Sequence, residues 1–122
     1  MPDTKQIITR YYKLKNPVTN GHKTTHLKVE LYYSLGGYNY FTSKSETRGY
    51  VISVSPVERH SGLESYIGFT GKKYCLVPVQ RQSKKAKEEA KVKFDAAARD
   101  FIKMFFSKYD VDLNDYEEKN YD

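Results

Sequence analysis

At 122 residues the chain is long enough for one domain with a single core and too short for two. Its one cysteine, Cys75, excludes an intramolecular disulfide and a cysteine-built zinc site, and no apolar run reaches the length that spans a bilayer, so a soluble protein of a reducing, cytoplasmic setting is expected. The formal charge of +6 is unevenly spread: residues 110–122 carry six acids and one lysine, a net −5 that leaves +11 on residues 1–109. A basic body favours polyanionic partners, and an acidic segment competes for the same surface.

Tyrosine is unusually frequent, with 12 residues against 6 Phe and no Trp. Tyr is the aromatic that tolerates a half-wet position, because its hydroxyl can stay hydrated. Residues 5–14, KQIITRYYKL, read as a first strand. KNPVTNGHKTT, with Asn16-Pro17 and Asn20-Gly21, reads as a polar loop.

LKVELYYSLGGYNYFT, Leu27 to Thr42, reads as a hairpin turning at Gly36-Gly37, since Gly supplies the positive φ of a two-residue turn. That turn pairs Tyr33 with Tyr40, Leu31 with Thr42 and Tyr32 with Phe41. Alternation then separates two faces. Leu27, Val29, Leu31 and Tyr33 form an apolar face, whereas Lys28, Glu30, Tyr32 and Ser34 form a polar one with Tyr32 and Phe41 at its centre. Exposed rings on a polar, partly basic sheet face suit the stacking of unpaired bases.

Gly49 to Val57 continues the pattern, with Tyr50, Ile52, Val54 and Pro56 on one side and Val51, Ser53, Ser55 and Val57 on the other. ERHSGLE is a polar turn. Tyr66–Phe69 and Lys73–Val79 read as a further hairpin around Thr70-Gly71, with Pro78 marking an edge strand. After Gln82 the period changes: Ala86, Ala90, Phe94, Ala97, Phe101 and Phe105 recur at spacings of three and four, the stripe of an amphipathic helix from Ser83, a good N-cap, to about Tyr109. The expected fold class is therefore α+β. A curved antiparallel sheet of five or six strands packs against one long C-terminal helix, with residues 1–109 as the domain and 110–122 as a mobile acidic tail.

The helix start is crowded with Arg81, Lys84, Lys85 and Lys87. Cations there oppose the macrodipole, and a phosphate would reverse that sign; the bland alternative is neutralisation by Glu88 and Glu89. Phe101, Phe105 and Phe106 cover more of the circumference than one sheet contact requires, which implies deep burial or a homodimer interface.

Chemistry of other kinds finds little support. His22 and His26 fall in a loop and a strand start, where their spacing does not make a metal site. Cys75 with His60, or Glu58 with Glu64, completes no catalytic constellation, and no phosphate-cradling glycine motif is present. No enzyme, cofactor or metal is expected. Binding of single-stranded nucleic acid is, through Arg10, Lys13, Lys28, Arg48, Arg81, Lys84, Lys85 and Lys87 for the backbone and Tyr32 and Phe41 for the bases. The alternative is a protein-interaction module, an accessory or inhibitory protein of a virus or mobile element, using the Phe-rich helix or a sheet edge.

RGYVISVS at 48–55 followed by the KFDAAARDFIKMFF helix is similar to a repeat of the PUR group of single-strand-binding proteins, and the sheet-then-helix order also resembles the Whirly group. Those likenesses imply a single-stranded ligand on the sheet. The acidic, aromatic-containing end resembles the tails with which phage and bacterial single-strand-binding proteins recruit partners.

Overall fold

The structure, a computed structural model, describes residues 5–20, 22–39, 44–60, 63–66 and 71–121. Two long strands, β1 (Lys5–Asn20) and β2 (His22–Ser34), run antiparallel, with Tyr12 opposite Leu27, Arg10 opposite Val29 and Ile8 opposite Leu31. The stretch expected to be a loop is thus strand on both sides of Gly21. Its signature survives as an irregularity: between Lys13 and Val18 the register shifts, where Pro17 has no N–H to give a ladder.

The hairpin expected at Gly36-Gly37 does not form. Two short strands follow β2, β3 (Gly37–Asn39) and β4 (Lys44–Glu46), and they pair with each other. Gly36 and Gly37 have the positive φ that the sequence implied, 74° and 106°, but they lead β2 out of the main sheet. Ser34 pairs instead with Gly49, at the start of β5 (Gly49–His60), which occupies the second edge of β2 from His26 to Ser34. Pairing with two long strands displaces a short local turn, because each added cross-strand pair contributes to stability. Tyr32 accordingly faces Gln6 on β1 and Val51 on β5, and Phe41 lies outside the described residues.

The outer edge of β5 is shared. β6 (Leu63–Tyr66) pairs with Val57–His60, and β7 (Lys72–Pro78) pairs with Gly49–Val54. The two therefore lie along β5 rather than against each other. Helix α1 (Lys84–Phe105) follows, its N-cap Ser83 accepting a hydrogen bond from the Ala86 N–H at 3.0 Å.

The last element corrects a second expectation. Most of the segment expected to be a mobile tail is a strand: β8 (Val111–Asn120) pairs with β1 and gives the order β6-β5-β2-β1-β8, with β7 also on β5. An unprotected edge of β1 and the half-buried Val111 and Leu113 explain why an acidic segment pairs at all. The protein is thus α+β, a curved, unclosed antiparallel sheet with one long helix towards the C-terminus.

The core lies between the helix and the apolar sheet face. Leu27, Val29, Leu31, Ile52, Val54 and Tyr50 are fully buried beneath Ala90, Phe94 and Ala98 of α1. The small alanines let the helix approach closely while Phe94, Phe101 and Ile102 fill the remaining space. Two buried tyrosines fix the helix start: the Tyr33 hydroxyl donates to the Gln80 carbonyl at 3.1 Å, and the Tyr50 hydroxyl lies 3.3 Å from both the N–H and the carbonyl oxygen of Ser83. Among the described residues, no helix is long and apolar enough to cross a membrane.

Candidate functional site

The face turned away from the helix is ordered in rows across β1, β2, β5 and β7. Gln6, Tyr32, Val51 and Cys75 align in one row, and Thr9, Glu30, Ser53 and Lys73 in the next. A third row continues with Tyr11, Lys28 and Ser55. Side chains of one row point to one side because the strands are in register and each alternates with period two.

This face is concave. Glu64 of β6 reaches the Tyr11 hydroxyl on β1, three strands away, which a flat sheet with strands about 4.8 Å apart would not allow. A groove of about 1180 Å³ opens on this face, where Tyr32, Glu30, Ser34, Ser53, Ser55 and Lys73 line it. It continues past the β7 edge to the helix side of the sheet, where Lys72 and Tyr74 of β7 and Asp100, Phe101 and Phe105 of α1 line it.

One end of the concave face is closed by a charged network. Lys28, 7 % exposed, bonds Glu64 and lies 3.7 Å from Glu30. The Tyr11 hydroxyl donates to Glu64, and the Arg59 guanidinium sits 4.2 Å over the Tyr11 ring while pairing with Glu117 of β8. Burial, helped by the Glu64 hydrogen bond, pushes the Tyr11 hydroxyl up to about 12. Burial also opposes the charge of Glu64, but hydrogen bonds from Lys28 and Tyr11 outweigh it and hold the carboxyl below its usual range. His26, edge-on to Tyr11, is pushed down by burial and by Arg59.

The basic residues expected at the site divide. Arg10 faces the helix, not solvent: it is 4 % exposed, 2.7 Å from Asp95 of α1 and from Glu118 of β8, and donates to the Tyr12 hydroxyl at 2.7 Å. Its guanidinium stacks 3.9 Å from the Tyr116 ring. Burial works against its charge, yet those bonds raise its pKa further, and the Arg10 bond in turn lowers that of Asp95. Alternation along β1 puts Arg10 beside Ile8 and Tyr12, so a phosphate contact for it is ruled out by position. Lys28 is likewise held inside the concave network and does not offer a surface charge.

Lys13 is exposed on β1. Arg48 is half-buried and donates to the Leu35 carbonyl at 3.0 Å and the Gln80 carbonyl at 3.2 Å. It thereby joins the start of β5 to the turn before α1, where Arg81, Lys84 and Lys85 are exposed and Lys87 half-buried. The fold thus gathers Arg48 with a cluster more than thirty residues away in sequence. Of the Phe residues expected at a dimer contact, Phe101 and Phe106 are buried in the chain's own core, and Phe105 is 49 % exposed beside Met104 at 70 %.

Lys72, Lys73 and Gln6 escaped the sequence reading of the site. The signal for Lys73 is its alternation with Cys75 along β7, which puts both on the face that carries Ser53 and Val51. Glu58 and His60 do meet, at 2.7 Å, on an exposed end of β5. Cys75 lies opposite Val51, nine residues and roughly 30 Å along that strand from His60. Comparison with protein families, with curated proteins and with solved structures finds no match for this chain.

Proposed function

We propose that the protein binds single-stranded nucleic acid in the concave groove, without catalysing a reaction and without a cofactor. One observation carries this reading: Tyr32 lies on the groove floor opposite Val51, between Glu30 and Ser34, with Ser53 and Lys73 in the adjacent row. A flat apolar step flanked by hydrogen-bonding groups and a lysine suits a base and its phosphate, and each stacked base contributes about 1–3 kcal/mol. Lys72 on β7 and the cluster of Arg48, Arg81, Lys84 and Lys85 extend positive charge from the groove rim and the helix start. A cytoplasmic setting accords with the single cysteine.

A second reading is favoured by the exposed rings beside the β7 edge. Tyr74, Met104 and Phe105 are 43 %, 70 % and 49 % exposed. They suit a protein partner or a second copy docking on the edge strand and the helix.

The test is anisotropy of labelled single-stranded DNA, single-stranded RNA and duplex DNA titrated with the protein at two salt concentrations. The expected result is salt-sensitive binding that favours the single strands, since phosphate contacts release counterions. Absence of binding at low salt overturns the proposal and favours the protein-partner reading.

A further inference from the structure

The concave groove is polar in an ordered way. Moving across the sheet from the groove's inner wall, Glu30 offers only acceptors, Ser53 both a donor and acceptors, and Lys73 only donors. These three side chains stand in one row, two residues along each strand from the row of Tyr32 and Val51, a separation of roughly 6–7 Å. A base stacked on Tyr32 therefore presents one edge to that row.

Glu30 is also oriented. Lys28 lies 3.7 Å from its Oε1 and Gln6 donates to its Oε2, while its side chain keeps 14 % exposure and lines the groove. Lys28 offsets the negative charge that would otherwise repel a phosphate backbone. Directly across the ladder Glu30 faces only Thr9 and Ser53, neither of which is charged, so its charge is met by Lys28 of its own strand.

Resting on the single-strand reading, we infer that the Glu30, Ser53 and Lys73 row reads the edge of the stacked base and selects cytosine over thymine or uracil. Cytosine presents an amino donor followed by two acceptors, the complement of an acceptor followed by two donors. Thymine and uracil present an O4 acceptor where cytosine has its amino group, so O4 meets the Glu30 carboxylate acceptor to acceptor and finds no donor there. Tyr32 supplies affinity for any base, and Glu30 the discrimination.

The experiment compares labelled oligo-dC and oligo-dT of equal length, which carry the same backbone charge, by anisotropy on the full chain at one salt concentration. Oligo-dC is expected to bind about tenfold tighter. Glu30→Gln should bring the ratio towards one, because an amide can turn to donate to O4. Tyr32→Ala should weaken both oligomers and leave the ratio in place. Thermal melting checks that each variant folds, and an oligomer of N4,N4-dimethyldeoxycytidine, which lacks the amino donor, tests the Glu30 contact on the unaltered chain, where it should bind no tighter than oligo-dT. Equal binding of oligo-dC and oligo-dT by the unaltered chain, or a ratio unchanged in folded Glu30→Gln, overturns the inference while leaving single-strand binding intact. Binding of neither oligomer at low salt overturns the single-strand reading itself, and the inference with it.

Discussion

Arg10 on β1 and Glu118 on β8 are directly opposed in the ladder, and their side chains meet at 2.7 Å. Asp95 approaches the same guanidinium from the helix, so one buried cation ties together the first strand, the last strand and α1. Removing one partner of a buried ion pair costs about 3–5 kcal/mol, and the partial exposure of both carboxylates brings the expected loss to the lower end, about 3 kcal/mol. Arg10→Ala should show that loss in a urea titration. A change under about 1 kcal/mol would mean that water solvates the two acids as well as the arginine does.

The Tyr11 and Glu64 pair predicts a stability profile with two flanks. Glu64 has a folded pKa below its ordinary 4.5, so its contribution is present above that value and is lost as the pH falls through the folded pKa. The Tyr11 hydroxyl is raised from 10 to about 12, so the folded state holds a proton that the unfolded chain releases, and stability is lost as the pH rises from 10 towards 12. Tyr11→Phe should flatten the alkaline flank, leaving the parts due to Tyr12 and Tyr74, which burial also raises. Thermal melts across pH measure both flanks.

Gly49 joins β5 to the turn before it with φ of 150°, and a Cβ there would sit 2.3 Å from the Val77 carbonyl oxygen and 2.9 Å from Pro78 Cα. Both obstacles are backbone and cannot swing aside. Gly49→Ala should destabilise the protein by about 3 kcal/mol or more, through strain and a widened β5 and β7 ladder. An unshifted melting temperature would contradict this.

Charge on β8 is separable from its role as a strand. Asp112 and Asp115 are exposed, and Asp112 accepts from the Asn114 N–H at 2.9 Å, a bond that asparagine can keep. Changing both to Asn should tighten single-strand binding roughly twofold to fivefold at low salt and less at high salt, if these acids compete with the ligand. Deleting residues 111–122 answers a different question, because it uncovers Arg10 and Tyr12 and should lower the melting temperature.

Tyr32→Ala should weaken single-strand binding by about 1–3 kcal/mol while leaving the dependence on salt nearly unchanged, since a ring carries no charge to exchange with counterions. A parallel drop in melting temperature would instead assign Tyr32 to packing.

The helix, the two sheet faces and the polar row of serines follow from the sequence alone. Period 3.6 in Ala86, Ala90, Phe94 and Phe101, and period 2 in Leu27, Val29, Leu31 and in Val51, Ser53, Ser55, are local properties of a chain that must bury one side of each element. Which strand lies beside which was decided only by the tertiary structure. Gly36-Gly37 carries a strong local turn signal, yet β2 has two edges, and long pairings with β1 and β5 outweigh one short hairpin. β8 reads as a solvated acidic tail until the free edge of β1 is there to receive it. The fate of individual charges was decided at the same level: Arg10 and Lys13 look alike in KQIITRYYKL, but Asp95 and Glu118, the groups that hold Arg10 inside, are 85 and 108 residues away. Periodicity reports which side of an element is buried, whereas the partner that makes a buried charge tolerable comes from distant parts of the chain and exists only once the sheet and the helix have closed around it.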